Sequence, residues 1–100
     1  MKVHITDKRT KVKVSKSDLW NLDITLSKII LPCLVKFRAN LDGWPSILNQ
    51  EDEKEALKEW EGILDQMIEG FGMNADCVHD DTKVQNALDL FAKYYTHLWN

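Results

Sequence analysis

Glycine, proline and cysteine are scarce in this chain: four, two and two residues among 100. Two cysteines cannot build a disulfide framework. Cys33 lies inside an apolar helical pattern, Cys77 lies in a polar loop, and no secretory signal precedes them, so free thiols in a reducing cytoplasm are expected. None of the four glycines forms a phosphate-cradling loop after a strand, which excludes the common nucleotide-binding fingerprints. A membrane-spanning helix needs ~18 consecutive apolar residues. The most apolar segment is interrupted by Asn21, Asp23, Lys28, Pro32, Lys36 and Arg38, so no membrane partner is expected. No nucleophile, base and orienting acid occur as a set, and His4 and His97 are isolated in sequence. Asp76, Cys77, His79, Asp80 and Asp81 mix metal-ligand types, but their spacing matches no closed zinc pattern and carboxylates before a helix are capping residues by default. These absences lead to the expectation of a non-enzyme with no cofactor and no metal.

What the chain has in quantity is apolar surface at helical spacing. Leu19, Leu22, Leu26, Ile29, Ile30, Cys33 and Phe37 recur along Ser17 to Leu41, and Trp20, Ile24, Leu31 and Val35 extend the apolar surface around the cylinder. Such a helix must be wrapped by the rest of this chain or by another copy. Ser17 followed by Asp18 predicts its start, and Pro32 predicts a kink or break within it. Asp42-Gly43-Trp44-Pro45-Ser46 is a turn cluster opening a loop to Gln50. A second helix is expected from about Glu51 to Glu69, with Leu57, Trp60, Leu64, Met67 and Ile68 on one face, closed by Gly70 or Gly72. Asp80 or Asp81 should cap a third, with Val84, Ala87, Leu88, Phe91, Tyr94, Tyr95 and Leu98 as its buried stripe. The four tryptophans, at positions 20, 44, 60 and 99, are candidates for one aromatic cluster.

Before these helices, Val3 and Ile5, then Val12 and Val14, alternate with polar neighbours on either side of Thr6-Asp7-Lys8-Arg9-Thr10, a β-hairpin pattern. A lone hairpin is marginal in water, so its Val/Ile face should find a surface to pack on. The fold class that follows is mainly α with a small β part. One domain, 1–100, is expected, with a basic β-hairpin (1–16) packed on a three-helix bundle (17–100) whose first helix is kinked at Pro32.

Charge is unevenly distributed although the net value is only −3. Residues 1–17 carry six Lys/Arg against one Asp, and the remainder seven Lys/Arg against fifteen Asp/Glu. This basic arm on an acidic body predicts docking between subunits, hence a homo-oligomer, or contact with DNA through Lys8, Arg9, Lys11 and Lys13. A nucleotide-like small molecule is a further candidate, with Trp44, Tyr94 or Tyr95 stacking on a base and Lys36 or Arg38 holding phosphate.

Trp20-Asn21-Leu22-Asp23, Ile30-Leu31-Pro32-Cys33-Leu34, Gly43-Trp44-Pro45 and Leu90-Phe91-Ala92-Lys93-Tyr94-Tyr95-Thr96-His97-Leu98-Trp99 follow one another in an order that resembles a widespread group of small bacteriophage proteins of uncharacterised function. The likeness spans Asp18 to Asn100 and leaves out the hairpin. It implies a phage accessory protein made in the host bacterial cytoplasm. Small phage proteins of this kind often block host defence, by binding a host protein or by sequestering a nucleotide signal, and others modulate replication or transcription. No catalytic residue is carried over by the likeness. Asp23 is expected to meet Lys93 or Tyr95 on the last helix.

Overall fold

The computed structural model describes residues 1–48 and 51–100. Two antiparallel strands, β1 (Lys2–Ile5) and β2 (Thr10–Lys13), precede a short helix α1 (Lys16–Trp20) and three long ones, α2 (Leu22–Ala39), α3 (Glu53–Ala75) and α4 (Asp81–Tyr94). Single 3-10 turns follow α2 at Ser46–Leu48 and α4 at Tyr95–His97. The fold class is therefore mainly helical with an N-terminal hairpin, as the patterning predicts. Positions 49 and 50, the end of the loop expected to reach Gln50, lie outside the described residues.

The helix boundaries differ from the expected ones for local physical reasons. Ser15, not Ser17, caps α1: its hydroxyl accepts from the Asp18 N–H while Asp18 Oδ2 accepts from the Ser15 N–H at 2.8 Å, a reciprocal capping box. The first helical segment is divided at Asn21 (φ −132°, ψ 62°), and α2 then runs unbroken through Pro32. Pro32 and Lys28 both lie on the exposed side of α2, where the backbone group that Pro32 leaves without its helical N–H partner is not enclosed by the core. Neither Gly70 nor Gly72 ends α3. The helix closes six residues beyond Glu69, with Cys77 in the left-handed region (φ 59°); the Cys77 N–H donates to Asn74 O and the Val78 N–H to Met73 O. This pair of bonds is a Schellman closure with a cysteine where glycine is usual. Asp52 and Asp80 cap α3 and α4 through their carboxylates.

The middle helix, α3, is the centre of the body. It lies antiparallel to α2 on one side and to α4 on the other, and it buries Ala56, Trp60, Ile63, Leu64, Met67, Gly70, Phe71 and Ala75. Leu34 of α2, Ala87 and Tyr94 of α4, and Leu48 complete the core. Trp60 is its largest member, 1% exposed, with Phe37 edge-on at 6.3 Å and Tyr94 at 5.5 Å. Gly70 marks the closest helix crossing: a Cβ there would lie 2.6 Å from the Lys83 carbonyl oxygen and collide with the Ala87 side chain. Glycine is thus required by the approach of α4. Ser27 is buried against α3 and accepts from Asn74 Nδ2 at 2.9 Å, and Asp23 Oδ2 shares that amide at 3.3 Å. Asp23 therefore meets the end of α3 and not Lys93 or Tyr95, because α2 and α4 run parallel and their opposite ends lie far apart.

Two consequences of this layout matter for function. Among the described residues no Cα of α2 comes within 8 Å of a Cα of α4, so the helices form a layer rather than a closed triangle, and one principal dimension is only 19 Å. The hairpin, meanwhile, stands off the layer. Its strands pair Lys2 with Lys13, Val3 with Val12, His4 with Lys11 and Ile5 with Thr10, every strand residue is exposed, and neither strand reaches a described helix at that distance. The Met1 amino group, 2.9 Å from Asp18 Oδ1, ties the arm to α1.

Candidate binding surfaces

Three surfaces collect the chemically distinctive side chains. At the end of the layer where α2 finishes, the 42–46 loop and the turn after α4 enclose a cleft of about 540 Å³. Trp44, Trp60 and Trp99 line it with His97 and Asp42. The chain folds this way locally because Asn100 clasps the loop: its side-chain amide donates to Asn40 O at 2.9 Å and accepts from the Asp42 N–H at 3.2 Å. The Trp99 indole N–H donates to Thr96 O, which fixes the ring while leaving it 74% exposed. Three of the four tryptophans thus share a site, as their number suggested. Trp20 does not line this cleft; it lies on α1 with 81% exposure.

Along the side of the layer, α2 and α4 leave a groove of about 240 Å³ over α3. Ile29, Ile30, Cys33, Leu34 and Phe37 form one wall, and Phe91 and Leu98 the other. Phe91 is held by edge contacts with Phe71 at 5.2 Å and Tyr95 at 5.3 Å. Leu22 and Leu26 continue the α2 wall toward its start, 38% and 43% exposed, and Leu88 continues the α4 wall at 44%. One side of α2 therefore faces α3 through Ser27 and Leu34 and the adjacent side faces the groove through this stripe, which is why the helix reads as apolar on nearly every side.

The third surface is the hairpin. By its register Val3, Ile5 and Val12 share one face, and Lys2, His4, Lys11 and Lys13 the other. Lys8 and Arg9 sit at the tip, where the Arg9 N–H donates to Thr6 O. Asp7 and Lys8 do not have positive φ, so the turn is not of the primed type whose twist best suits a hairpin. Lysines directly across from each other, as Lys2 and Lys13 are, repel.

The residues proposed for a nucleotide do not come together. Arg38 is bound to α3, with Nη2 at 2.9 Å from Glu61 Oε2 and Nε at 3.1 Å from Asp65 Oδ1, and the Asp65 hydrogen bond pushes its pKa still higher. Lys36 is exposed beside Pro32 on the outer side of α2. Tyr94 is buried in the core, Tyr95 stands 62% exposed against Phe91, and Trp44 is in the cleft. Neither Lys nor Arg lines that cleft. The Asp76–Asp81 segment is accounted for by capping and helix closure, and among the described residues no group of three or more His, Cys, Asp or Glu is placed to hold a metal ion. No described helix is long and apolar enough to cross a membrane. The groove was the surface sequence reasoning missed; the signal for it was an apolar stripe on α2 wider than one neighbouring helix can cover.

Comparison with protein-family models, characterised proteins and solved structures finds no match for this chain.

Proposed function

We propose that this is a non-enzymatic phage accessory protein that neutralises a host component in the bacterial cytoplasm by binding it, and that the component is a protein of antiviral defence. The observation that carries the choice of a protein over a nucleotide signal is the make-up of the cleft. Its tryptophans offer stacking faces, but its one carboxylate, Asp42, repels phosphate and Arg38 is neutralised elsewhere by two carboxylates. Exposed indoles beside apolar and acidic groups suit a protein surface that is apolar with a basic rim. Trp44 and Trp99 act here as anchors: large, held in place, and open to a partner.

The test is affinity purification of the tagged protein from infected bacteria, alongside Trp44→Ala/Trp99→Ala, with mass spectrometry of co-purifying proteins and of small molecules released on denaturation. The expected result is one host protein that binds the purified wild type directly and is lost with the double variant. Release of a stoichiometric nucleotide, or turnover of one that His79 or Asp81 substitutions stop, would contradict the reading.

A second reading, DNA binding in support of replication or transcription control, draws on the placement of Lys2, Lys11 and Lys13 on one face of an arm that stands clear of the acidic body. Replacing Lys8, Arg9, Lys11 and Lys13 with Gln would then abolish a salt-sensitive mobility shift. Absence of any shift at low salt removes it.

A further inference from the structure

A single copy of this chain leaves two apolar faces uncovered that match in chemistry. The hairpin presents Val3, Ile5 and Val12, 44%, 68% and 48% exposed, on one side of a two-stranded ribbon. The body presents the α2–α4 groove, whose walls are aliphatic and aromatic. The hairpin cannot be sustained by its own contacts. It has two strands of four residues, a turn without the favoured twist, Lys2 opposite Lys13, and strands that reach no described helix; ribbons of this kind need a surface before they are stable in water.

We propose that the protein forms a two-fold dimer in which the hairpin of each copy lays its Val3/Ile5/Val12 face into the α2–α4 groove of the other.

Charge selects a second copy as the occupant. The arm is strongly basic and the body strongly acidic, so arm-to-body contact is attractive and body-to-body contact is not. The groove lining itself carries no charged side chain, and Asp81 and Asp89 of α4 lie apart from it on a surface shared with Thr82, Gln85 and Asn86, so the attraction is between the arm and the acidic body as a whole. Symmetry doubles each contact. Exchanging both hairpins covers two ribbon faces and two grooves, which moves a small patch toward the ~1,200 Å² total that lasting interfaces bury. Among the described residues the Met1–Asp18 ion pair ties the arm to α1 while neither strand reaches a helix, which leaves the strands free to cross to a neighbour.

The groove carries its own reporter, because Cys33 is an exposed free thiol on the α2 wall. The experiment uses the full chain with Cys77→Ser, to leave one native thiol, and Ile5→Cys to place a second on the hairpin face. Isotopically heavy and light protein are mixed, sedimented, mildly oxidised and mapped by peptide mass spectrometry. The expected result is a dimer before oxidation and a disulfide between position 5 of one copy and Cys33 of the other, detected as heavy–light pairs. In the otherwise native chain, Ile5→Glu should weaken dimerisation by an order of magnitude or more with an unchanged helical circular dichroism signal. A monomer at high micromolar protein and low salt overturns the proposal. So does a 5–33 link formed within one chain, a dimer linked through Cys33 to Cys33 alone, or a monomer whose arm lysines instead shift duplex DNA.

Discussion

The middle helix and the hairpin lie in one short chain and answer the same physical requirement in opposite ways. The α3 helix buries eight residues between two flanking helices and has polar contacts with both, Glu61, Asp65 and Asn74 with Arg38 and Ser27 of α2, and Glu69 with Lys83 of α4. The hairpin buries none of its eight strand residues and is tied down at Met1. A chain of this length keeps only ~5–15 kcal/mol of net stability, and here that stability resides in the helical layer. The arm contributes surface, charge and reach instead. Regions of the second kind are where a small protein places its interactions, since their residues are free of the packing constraints that the core imposes.

The sharpest way to break this contrast is a pair of truncations. Trp60→Ala removes the side chain at the centre of the core and should cost about 4 kcal/mol, enough to unfold much of the population. Ile5→Ala, measured on dilute protein, should change stability by less than ~0.5 kcal/mol. Chemical denaturation followed by fluorescence reads both. A comparable loss from the two variants would mean that the arm is part of the core.

A smaller effect is expected where α3 meets α4. Gly70→Ala forces a methyl group into the Lys83 carbonyl and the Ala87 side chain, and should destabilise by about 2 kcal/mol despite alanine's better helix propensity. Gly62, where a Cβ meets nothing within 4 Å, is the control, and Gly62→Ala should be neutral or slightly stabilising. If both alanines behaved alike, the close crossing at Gly70 would be wrong. At the other end of the scale, Cys77→Gly relieves a left-handed residue and should raise stability by about 1 kcal/mol in the same assay.

The arm's own attachment should respond to acid. Hydrogen bonds from the Ser15 N–H, then from the Met1 amino group and the Ser15 hydroxyl, hold Asp18 down to a pKa of about 2. A depressed carboxylate contributes its full stabilisation above its unfolded value, near 3.8, and loses it as the pH falls through the folded value. The α1 cap and the Met1 tie should therefore loosen between about pH 4 and pH 2. An NMR titration of the Ser15 and Asp18 amides would follow this, and Asp18→Asn should abolish the transition.

The helical class, the hairpin and the α3 core stripe were legible in the sequence because period-two and helical patterns are local; of the stripe expected on the last helix only Ala87 and Tyr94 are buried, Leu88 and Tyr95 are exposed, and α4 ends at Tyr94. What was not legible depended on neighbours. Gly70 looks like a terminator until α4 is seen lying on it, and Pro32 looks like a break until α2 is seen to continue through it with Pro32 on its exposed side. Cys77 in a left-handed conformation violates a propensity that α3 overrides by satisfying two carbonyls. Ser17 drew attention from Ser15 because each lies near Asp18, and only Ser15 has the three-residue spacing that a reciprocal cap requires. The candidate binding residues fared least well: Trp44 reached a cleft, but Arg38 was claimed by Glu61 and Asp65, and composition alone does not say which cation is already paired.

The measurement that tests the account most directly is amide hydrogen exchange as a function of protein concentration. The account predicts that amides of residues 2–5 and 10–13 exchange quickly in dilute protein and become protected as concentration rises, in step with dimer formation, while those of α3 stay protected throughout. Hairpin protection independent of concentration, whether as strong as in α3 or absent at every concentration reached, would contradict the claim that a second copy completes the arm.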